Sequence, residues 1–432
     1  MNVPNPDAVL IACPVPGIED DSRQAPGGLV SLATCARSHG FQVVVCDLAG
    51  QVPESAWEWI PEAKVYGFAT YTANYHCAVT LAHQLRQRSP GALLVAGGPH
   101  ATALPAEVAR DFRCVVRGEG EGPFLAILNA VRQRQLDRLP RILSSPPILD
   151  LDGLPFPDFE AFCDMRRYHR QIEGRPAICL DSSRGCSFRC LFCNSNVAGH
   201  GHGAWRARTA ESVLAEIRGH LCRGWTAFRF NDDNFLSDRR RALEICARLR
   251  PLAVKFRIFG RAESLDDREL CDALAEAGCR QVGVGVESLS PSMLARMGKA
   301  QRVERICRGI ETAHAVGLLI RGFFVVGFPG ETDSTVAESI AGLQSLPLDD
   351  AVVYPCIPYP GTDLFEQPDK HGIAWIDPEW DHYIQVGRNR AAGFVMATRE
   401  FGPEQVRHWH AQYAAAFDDL GFRWCDTSGR VV

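Results

Sequence analysis

The amino-acid sequence predicts an α/β protein in which a Rossmann-like, doubly wound parallel sheet precedes a partial (β/α)6 TIM-type barrel and a small helical C-terminal tail. Short β-branched runs alternate with helical patterns in two separate series, and a proline-rich segment divides the two series. Such alternation is typical of parallel sheets covered by helices. The 432 residues are enough for two or three domains, each with its own core.

The first series lies within a predicted domain of residues 1–135. Its predicted strands are Val9–Cys13, Gln42–Asp47, Val65–Thr70, Leu93–Ala96 and Cys114–Arg117, and its predicted helices are Leu29–His39, His76–Gln87 and Gly122–Gln133. Glycine and polar residues follow several of these strands. Open α/β sheets bind ligands outside the carboxyl ends of their strands, so these loops form the expected ligand edge.

Residues 136–175 are predicted to be a linker because their prolines disfavour helices. The second series forms a predicted barrel over residues 176–370. Its strands are predicted at Ala177–Asp181, Ala227–Phe230, Val254–Phe259, Gln281–Val286, Leu319–Val326 and Ala351–Cys356, and its helices at Ala210–Cys222, Asp238–Arg250, Asp266–Ala277, Val303–Ala315 and Thr332–Leu343. In residues 371–432 one helix is predicted, beginning near Pro403 and ending before Gly421.

Charge and hydropathy exclude two classes of protein. There are 46 basic against 51 acidic side chains, so the sequence lacks the basic excess of a general nucleic-acid binder. The longest apolar run, Leu318–Phe328, is interrupted by Arg321 and is shorter than the roughly 18–20 residues of a membrane span. The N-terminus lacks the basic residues of a secretory signal, so a cytoplasmic location is expected.

One group of cysteines points to metal chemistry. Among 17 cysteines, Cys186, Cys190 and Cys193 are separated by three and then two residues, directly after the first barrel strand. Three thiolates in one tight loop suit a cuboidal iron–sulfur cluster with one iron left open. Two other interpretations remain: a zinc site completed by His200 or His202, and three buried cysteines.

This motif, with Phe192 before its last cysteine, resembles the signature of the radical S-adenosylmethionine (SAM) superfamily. The polar stretches that end the following predicted strands match that superfamily in order across residues 177–365. The resemblance implies a 4Fe–4S cluster on the three cysteines and SAM on its open iron. The SAM-contacting residues that it implies are Phe192, Asp232, Asp233, Arg261, Glu287, Gly327 and Pro329.

The N-terminal region resembles the cobalamin-binding domain that precedes the barrel in one branch of the superfamily. The resemblance spans residues 8–133, and it implies that the following residues contact cobalamin: Thr70, Tyr71, Thr72, Gly97, Gly98, His100, Gly118 and Glu119. No histidine in residues 1–150 stands in the Asp-x-His-x-x-Gly pattern of domains that ligate cobalt. A bound cobalamin is therefore expected to lack a histidine ligand, and a vestigial domain that binds none stays open.

The implied reaction begins with reductive cleavage of SAM to a 5′-deoxyadenosyl radical, which abstracts hydrogen from an unactivated carbon of a small, natural-product-type substrate. A reducing protein would supply the electron. Cobalamin-dependent C-methylation is the leading hypothesis, and radical dehydration or rearrangement, for example of an aminoglycoside sugar, is the alternative. Candidate acid–base or hydrogen-donor residues are His200, Tyr354, Cys356 and Tyr359. The alternative to an enzyme is a non-catalytic sensor protein in which the metal site is structural.

Overall fold

The computed structural model describes residues 5–15, 18, 22–51, 55–197, 204–384 and 393–422. The described residues form two compact units. One takes its residues from Met1–Tyr168, Asn196–Gly201 and Glu379–Ile384, and the other from His169–Ser195, His202–Pro378 and Gln385–Val432. The short segment Glu379–Ile384 thus belongs to the first unit although the sequence places it beyond the barrel.

The first unit is built on a parallel sheet in the order β2-β1-β3-β4-β5-β6. Its strands are β1 (Ala8–Ala12), β2 (Val43–Asp47), β3 (Val65–Ala69), β4 (Leu93–Gly97), β5 (Cys114–Arg117) and β6 (Ile142–Ser144). Its helices are α1 (Gly27–Ser38), α2 (Tyr75–Arg88), α3 (Pro99–Ala103), α4 (Pro105–Val108), α5 (Glu121–Arg132) and α6 (Phe159–Phe162). Strand β6 and helix α6 both lie in the segment predicted as a linker.

Alternate residues of β1 enter two different cores. Val9 and Ile11 belong to one apolar cluster, and Ala8 and Leu10 belong to another. A strand buried on both faces is expected in a parallel sheet covered by helices on both sides. The doubly wound architecture predicted from the sequence is confirmed.

The second unit contains a seven-stranded sheet in the order β15-β14-β13-β12-β11-β8-β7, which forms the partial barrel. Its strands are β7 (Gln171–Ile172), β8 (Arg175–Leu180), β11 (Ala227–Phe230), β12 (Lys255–Arg261), β13 (Cys279–Glu287), β14 (Leu319–Val326) and β15 (Asp350–Pro355), and a two-stranded ladder pairs β9 (Ser183–Arg184) with β10 (Arg206–Ala207). From β8 to β15 every neighbouring pair is parallel, whereas β7 pairs with β8 in antiparallel fashion. The six predicted barrel strands are all present.

Helices connect the barrel strands. They are α7 (Ala210–Cys222), α8 (Arg239–Leu249), α9 (Arg268–Glu276), α10 (Pro291–Arg296), α11 (Val303–His314) and α12 (Asp333–Leu343), and the short α13 (Asp363–Glu366) follows β15. Four of them begin with a side chain that accepts a hydrogen bond from the first-turn backbone, namely Thr209, Asp238, Asp267 and Thr332. Such caps satisfy N–H groups that have no partner within the helix, and they fix where each helix begins.

The tail contains more than the predicted helix. Helix α14 (Pro403–Asp419) packs Tyr413 and Phe417 against Phe324 of β14, with ring centroids 5.7 and 6.0 Å apart. Strands β16 (Ile373–Ile376) and β17 (Met396–Thr398) form an antiparallel pair that the sequence did not predict. None of the helices in the described ranges is both long and apolar enough to cross a bilayer.

Candidate active site

A cavity of about 400 Å³ lies at the carboxyl ends of the barrel strands. Its size is in the range of small-molecule sites in proteins. Its lining residues are Cys186, Phe188, Cys190, Phe192, Cys193, Ser195, Asn231, Asp232, Asp233, Asn234, Phe259, Gly260, Arg261, Gly283, Gly285, Glu287, Lys299 and Phe323. The structure therefore brings all three motif cysteines and five of the seven predicted SAM contacts to one cavity.

Two backbone hydrogen bonds hold the cysteine loop: one closes a tight turn within it, and the other joins its centre to Met297. The backbone N–H of Cys193 donates to the carbonyl of Cys190 at 3.2 Å, and that of Leu191 donates to the carbonyl of Met297 at 3.0 Å. Within the described residues, no three His, Cys, Asp or Glu side chains are grouped around the position of a single ion. Burial raises the pKa of the Cys193 thiol to about 11, against a hydrogen bond with Ser195 that lowers it. The turn keeps Cys190 and Cys193 together on one loop at the cavity.

Arg261 fixes one side of the cavity. Its guanidinium carbon lies 3.7 Å from the ring centroid of Phe188, between Cys186 and Cys190, and its Nη2 donates to the carbonyls of Lys299 and Ala300. Cation–π and charge-assisted contacts of this kind are strongest where water is excluded, and Arg261 is only 5% exposed. Arg261 thus links the cysteine loop to the segment after α10.

The two predicted aspartates differ in their surroundings. Asp232 is 1% exposed, and its carboxylate accepts hydrogen bonds from the backbone N–H of Ser182 at 2.8 Å and from the hydroxyls of Ser182 and Ser183. Asp233 is exposed and lines the same cavity. Asp232 therefore anchors the start of the cysteine loop, and Asp233 is the carboxylate better placed to meet a ligand.

A buried ion pair between Lys299 and Glu287 lines another side of the cavity. Lys299 Nζ lies 2.6 Å from Glu287 Oε1, and their side chains are 8% and 10% exposed. A Cβ at Gly285 would stand 2.4 Å from Glu287 Oε1 and 2.7 Å from Lys299 Nζ, so a side chain there would displace the ion pair. Sequence reasoning found Glu287 but missed Lys299, whose only signal was a basic residue in the short segment that follows α10.

The stretch after β14 does not reach the cavity. Gly327 and Pro329 are buried and are not among the described residues that line the cavity, so their predicted contact with SAM stays a prediction. Gly327 has a φ of +83°, and its N–H donates to the carboxylate of Glu331, whose pKa is raised to about 7 by burial. Phe192 does line the cavity and packs edge-on against Phe328 with centroids 6.4 Å apart.

The predicted catalytic candidates are dispersed. Tyr354 stacks on Phe323, a cavity residue, with ring centroids 6.4 Å apart. Cys356 is 4% exposed within an apolar cluster, and burial raises the pKa of its thiol well above the ordinary value. Burial likewise raises the pKa of Tyr359. Neither Cys356 nor Tyr359 lines the cavity. His200 and His202 lie outside the described residues.

In the first unit, hydrogen bonds join the turn that follows β3 to the turn that follows β4. The Thr70 hydroxyl donates to the carbonyl of Gly97 at 3.0 Å and accepts from the N–H of Ala101 at 3.3 Å. Gly98 has a φ of +108°, and a Cβ there would lie 2.7 Å from the carbonyl oxygen of Thr70. The backbone of the two turns passes so closely that only glycine fits at position 98.

His100 lies beneath these turns. It is 1% exposed, its Nδ1 is 3.3 Å from the Thr72 hydroxyl, and its ring centroid lies 4.4 Å from that of Tyr75 and 5.3 Å from that of Trp380. Burial, reinforced by His76, lowers the pKa of His100 to about 4, so the imidazole is neutral near pH 7. Two rings cover His100, which makes it a poor ligand for a metal at the surface of the sheet.

The remaining predicted residues at the carboxyl edge of the sheet divide into exposed and buried groups. Tyr71 is 55% exposed. Gly118 donates its N–H to the Thr102 hydroxyl at 3.0 Å. Glu119 is 5% exposed, and its carboxylate accepts from the N–H of Ile148. Tyr71 is thus available to a ligand, whereas Glu119 holds the chain that follows β6.

Two family models match this sequence. The B12 binding domain matches residues 18–128, and the Radical SAM superfamily matches residues 180–341, the stretch that carries most of the cavity. The chain is a radical SAM enzyme with an N-terminal B12-binding domain. The resemblance inferred from the cysteine motif and from the order of the strand ends is confirmed.

Relatives of this radical SAM enzyme match most of its length. An uncharacterised methyltransferase of Pyrococcus horikoshii is 28% identical over 402 residues, which cover 88% of this chain and 85% of that protein. The bacteriochlorophyllide d C-8(2)-methyltransferase of Chlorobaculum tepidum is 24% identical, covering 73% and 70% of the two chains. The methyltransferase TsrM from Kitasatospora setae, solved with cobalamin and a [4Fe–4S] cluster, superposes with a TM-score of 0.71 at 16% identity over 96% of this chain and 88% of that chain. This last likeness shows the fold.

A radical SAM domain implies a 4Fe–4S cluster and SAM, and the B12-binding domain supports cobalamin. The residues present fit the first two groups. Three thiols in one loop match the ligands of a cluster with an open iron. The polar and aromatic lining beside them matches a nucleoside with a charged amino-acid end.

Proposed function

We propose that this enzyme is a cobalamin-dependent C-methyltransferase that acts on a small molecule. The observation that carries the proposal is the cavity at the barrel's strand ends, which gathers Cys186, Cys190 and Cys193 with Asp233 and Glu287 in a chain that also carries a B12-binding domain. Relatives that cover most of this chain are named methyltransferases. When bound, the cluster would supply the electron that splits SAM, and cobalamin would carry the methyl group.

The barrel residues bind, orient and exclude water. Cys186, Cys190 and Cys193 would ligate three irons, with Asp232 fixing the start of their loop through Ser182. Asp233 is the carboxylate we assign to the amino group of SAM, since it is exposed at the cavity. A reducing protein would deliver the electron. Such positioning is the protein's contribution when a cofactor carries the difficult chemistry.

In the first unit, Gly97, Gly98 and Tyr71 are the residues we assign to cobalamin. Gly97 and Gly98 lie at the end of β4 beside Thr70, and the exposed Tyr71 ring offers an apolar face to a flat macrocycle. His100 is neutral, covered by Tyr75 and Trp380, and is not assigned as a cobalt ligand.

Anaerobic incubation of the reconstituted, cobalamin-loaded enzyme with methyl-labelled SAM and a strong reductant tests the proposal. We expect cobalamin to remain with the protein after desalting. We also expect S-adenosylhomocysteine to form, with the labelled methyl group retained in the protein fraction. Both products report methyl transfer without knowledge of the substrate.

The same preparation without cobalamin is the control and should yield no S-adenosylhomocysteine. If 5′-deoxyadenosine forms while S-adenosylhomocysteine does not, methylation is refuted and radical dehydration or rearrangement takes its place. If neither product forms from enzyme with a full complement of iron, the proposal is refuted and a non-catalytic sensor with a structural metal is favoured.

A further inference from the structure

Ser195 places a hydroxyl group against the sulfur of the last cysteine of the motif. Its Oγ lies 3.1 Å from Sγ of Cys193, and its backbone N–H also donates to that sulfur. A cysteine that ligates iron does so as a thiolate, which has no proton to donate. In the cluster-bound enzyme the hydroxyl of Ser195 is therefore the donor, and the sulfur of Cys193 is the acceptor.

The contact between these two side chains is local in the sequence. Ser195 lies two residues after Cys193, in a single turn of 3₁₀ helix over Asn194–Asn196. This turn directly follows the one that the N–H of Cys193 closes by donating to the carbonyl of Cys190. A serine has a single torsion between its backbone and its oxygen, so holding the hydroxyl against the sulfur costs little conformational entropy.

The surroundings of the contact are polar on one side and apolar on the other. Ser195 and Cys193 both line the cavity, and both are partly buried. Phe192, the residue before Cys193, packs against an apolar cluster that contains Met297 and Phe328. Such a cluster supplies no donor to a thiolate, and its low local dielectric strengthens the hydrogen bonds that the thiolate does receive.

Hydrogen bonds to the sulfurs are among the determinants of the reduction potential of an iron–sulfur cluster. Reduction by one electron adds a negative charge that is shared with the thiolate ligands. Because a donor binds a more negative acceptor more strongly, a hydroxyl at the sulfur stabilises the reduced cluster more than the oxidised one. The hydroxyl of Ser195 thus favours uptake of the electron on which cleavage of SAM depends.

We propose that Ser195 is a positioning residue that raises the reduction potential of the 4Fe–4S cluster, by donating the hydrogen bond of its hydroxyl to the thiolate of Cys193. The electron comes from an external one-electron reductant, which is oxidised as the cluster is reduced, and no bond of the protein forms or breaks. This role goes beyond the proposed methylation, because every reaction that begins with reductive cleavage of SAM needs this electron. It rests on the assignment of the cluster to the cysteine loop.

A redox titration of the cluster-reconstituted enzyme, without SAM or cobalamin, tests this inference. The electron paramagnetic resonance signal of the reduced cluster is followed against the solution potential. Ser195→Ala removes the hydroxyl and keeps the backbone N–H, so we expect the midpoint potential to fall without loss of iron. The ratio of reduced to oxidised cluster at a fixed potential should fall by about tenfold, which corresponds to about 59 mV for one electron.

Two further variants separate the hydroxyl from the shape of the side chain. Ser195→Thr keeps a hydroxyl and should keep the wild-type potential, whereas Ser195→Val has a similar shape without the hydroxyl and should show the decrease. This pair decides if Ser195→Ala does not assemble its cluster. Ser345→Ala is the matched control and should leave the potential unchanged, because Ser345 is exposed just after α12, where its hydroxyl donates to the carbonyl of Gly342 at 2.8 Å.

Equal midpoint potentials of the wild type, Ser195→Ala and Ser195→Val overturn the inference. It is also overturned if Ser195→Ala weakens only the binding of SAM, since the hydroxyl is then a SAM contact, or if Ser195→Thr and Ser195→Val lower the potential equally. A wild-type protein that binds no cluster overturns it together with the cluster assignment. Because the titration involves no turnover, a failure to form S-adenosylhomocysteine would refute methylation alone.

Discussion

Cys190→Ala is expected to remove the iron–sulfur cluster and to abolish reductive cleavage of SAM. Cys190 is the middle cysteine of the loop, lines the cavity, and accepts at its carbonyl the hydrogen bond that closes the turn. An alanine leaves two thiolates, which cannot hold a cube that needs three protein ligands and one open iron. Iron and sulfide content, the visible absorbance of the reconstituted protein and 5′-deoxyadenosine release are the measurements.

Cys222→Ala is the control for that experiment. Cys222 is a free cysteine, exposed at the end of α7 and far along the chain from the motif. The control variant should keep its iron and its SAM cleavage. If Cys190→Ala keeps its iron and its activity, or if Cys222→Ala loses them equally, the assignment of the cluster to this loop is wrong.

Lys299→Met is expected to destabilise the barrel by about 3–5 kcal/mol, because it leaves the Glu287 carboxylate buried without its partner. The two side chains are 2.6 Å apart and at most 10% exposed. Glu287 also holds a φ of +65°, an uncommon backbone conformation for a residue with a side chain. Denaturant unfolding of the cluster-free protein, followed by circular dichroism, measures the effect.

The double variant Glu287→Gln with Lys299→Met should recover most of that stability, since it removes both charges together. Arg268→Ala breaks an exposed pair on α9 and should cost well under 1 kcal/mol. If the double variant is as unstable as the single one, lost packing rather than a stranded charge explains the effect, and the electrostatic account of this wall fails.

The alternation of strands and helices is a local signal, and it predicted both sheets and the position of the cysteine loop. Loops that follow parallel strands converge at one edge, so Asp233, Arg261 and Glu287 were also within reach of sequence reasoning. The detailed role of Asp232 was not, because it depends on hydrogen bonds to serines 49 and 50 residues away.

Other features depended on tertiary placement. Lys299 follows a short helix and carries no periodic signal, and only the fold sets it beside Glu287. The arginines of β11, β12 and β14 each interrupt an apolar strand, and only the register shows that they share a face. Strand β16 ends at Ile376 and β17 begins at Met396, so no tight turn joins them, and a three-residue strand is too short to predict.

The position of the segment around Trp380 also depends on tertiary structure and could not be predicted from the sequence. Its indole donates to Glu107 at 2.9 Å and packs on His100, inside the first unit. Nothing in the residues near position 380 indicates a contact with a domain that ends more than two hundred residues earlier. This contact explains why His100 is covered, because the Trp380 and Tyr75 rings both pack on its imidazole.

The most direct test of the central claim is electron paramagnetic resonance of the reduced, cluster-reconstituted enzyme before and after SAM is added, without cobalamin. If three cysteines leave one iron open for SAM, a reduced 4Fe–4S signal should be present, and its g values should shift when SAM binds. A signal that SAM leaves unchanged, or a protein that cleaves SAM without any such signal, would contradict the account.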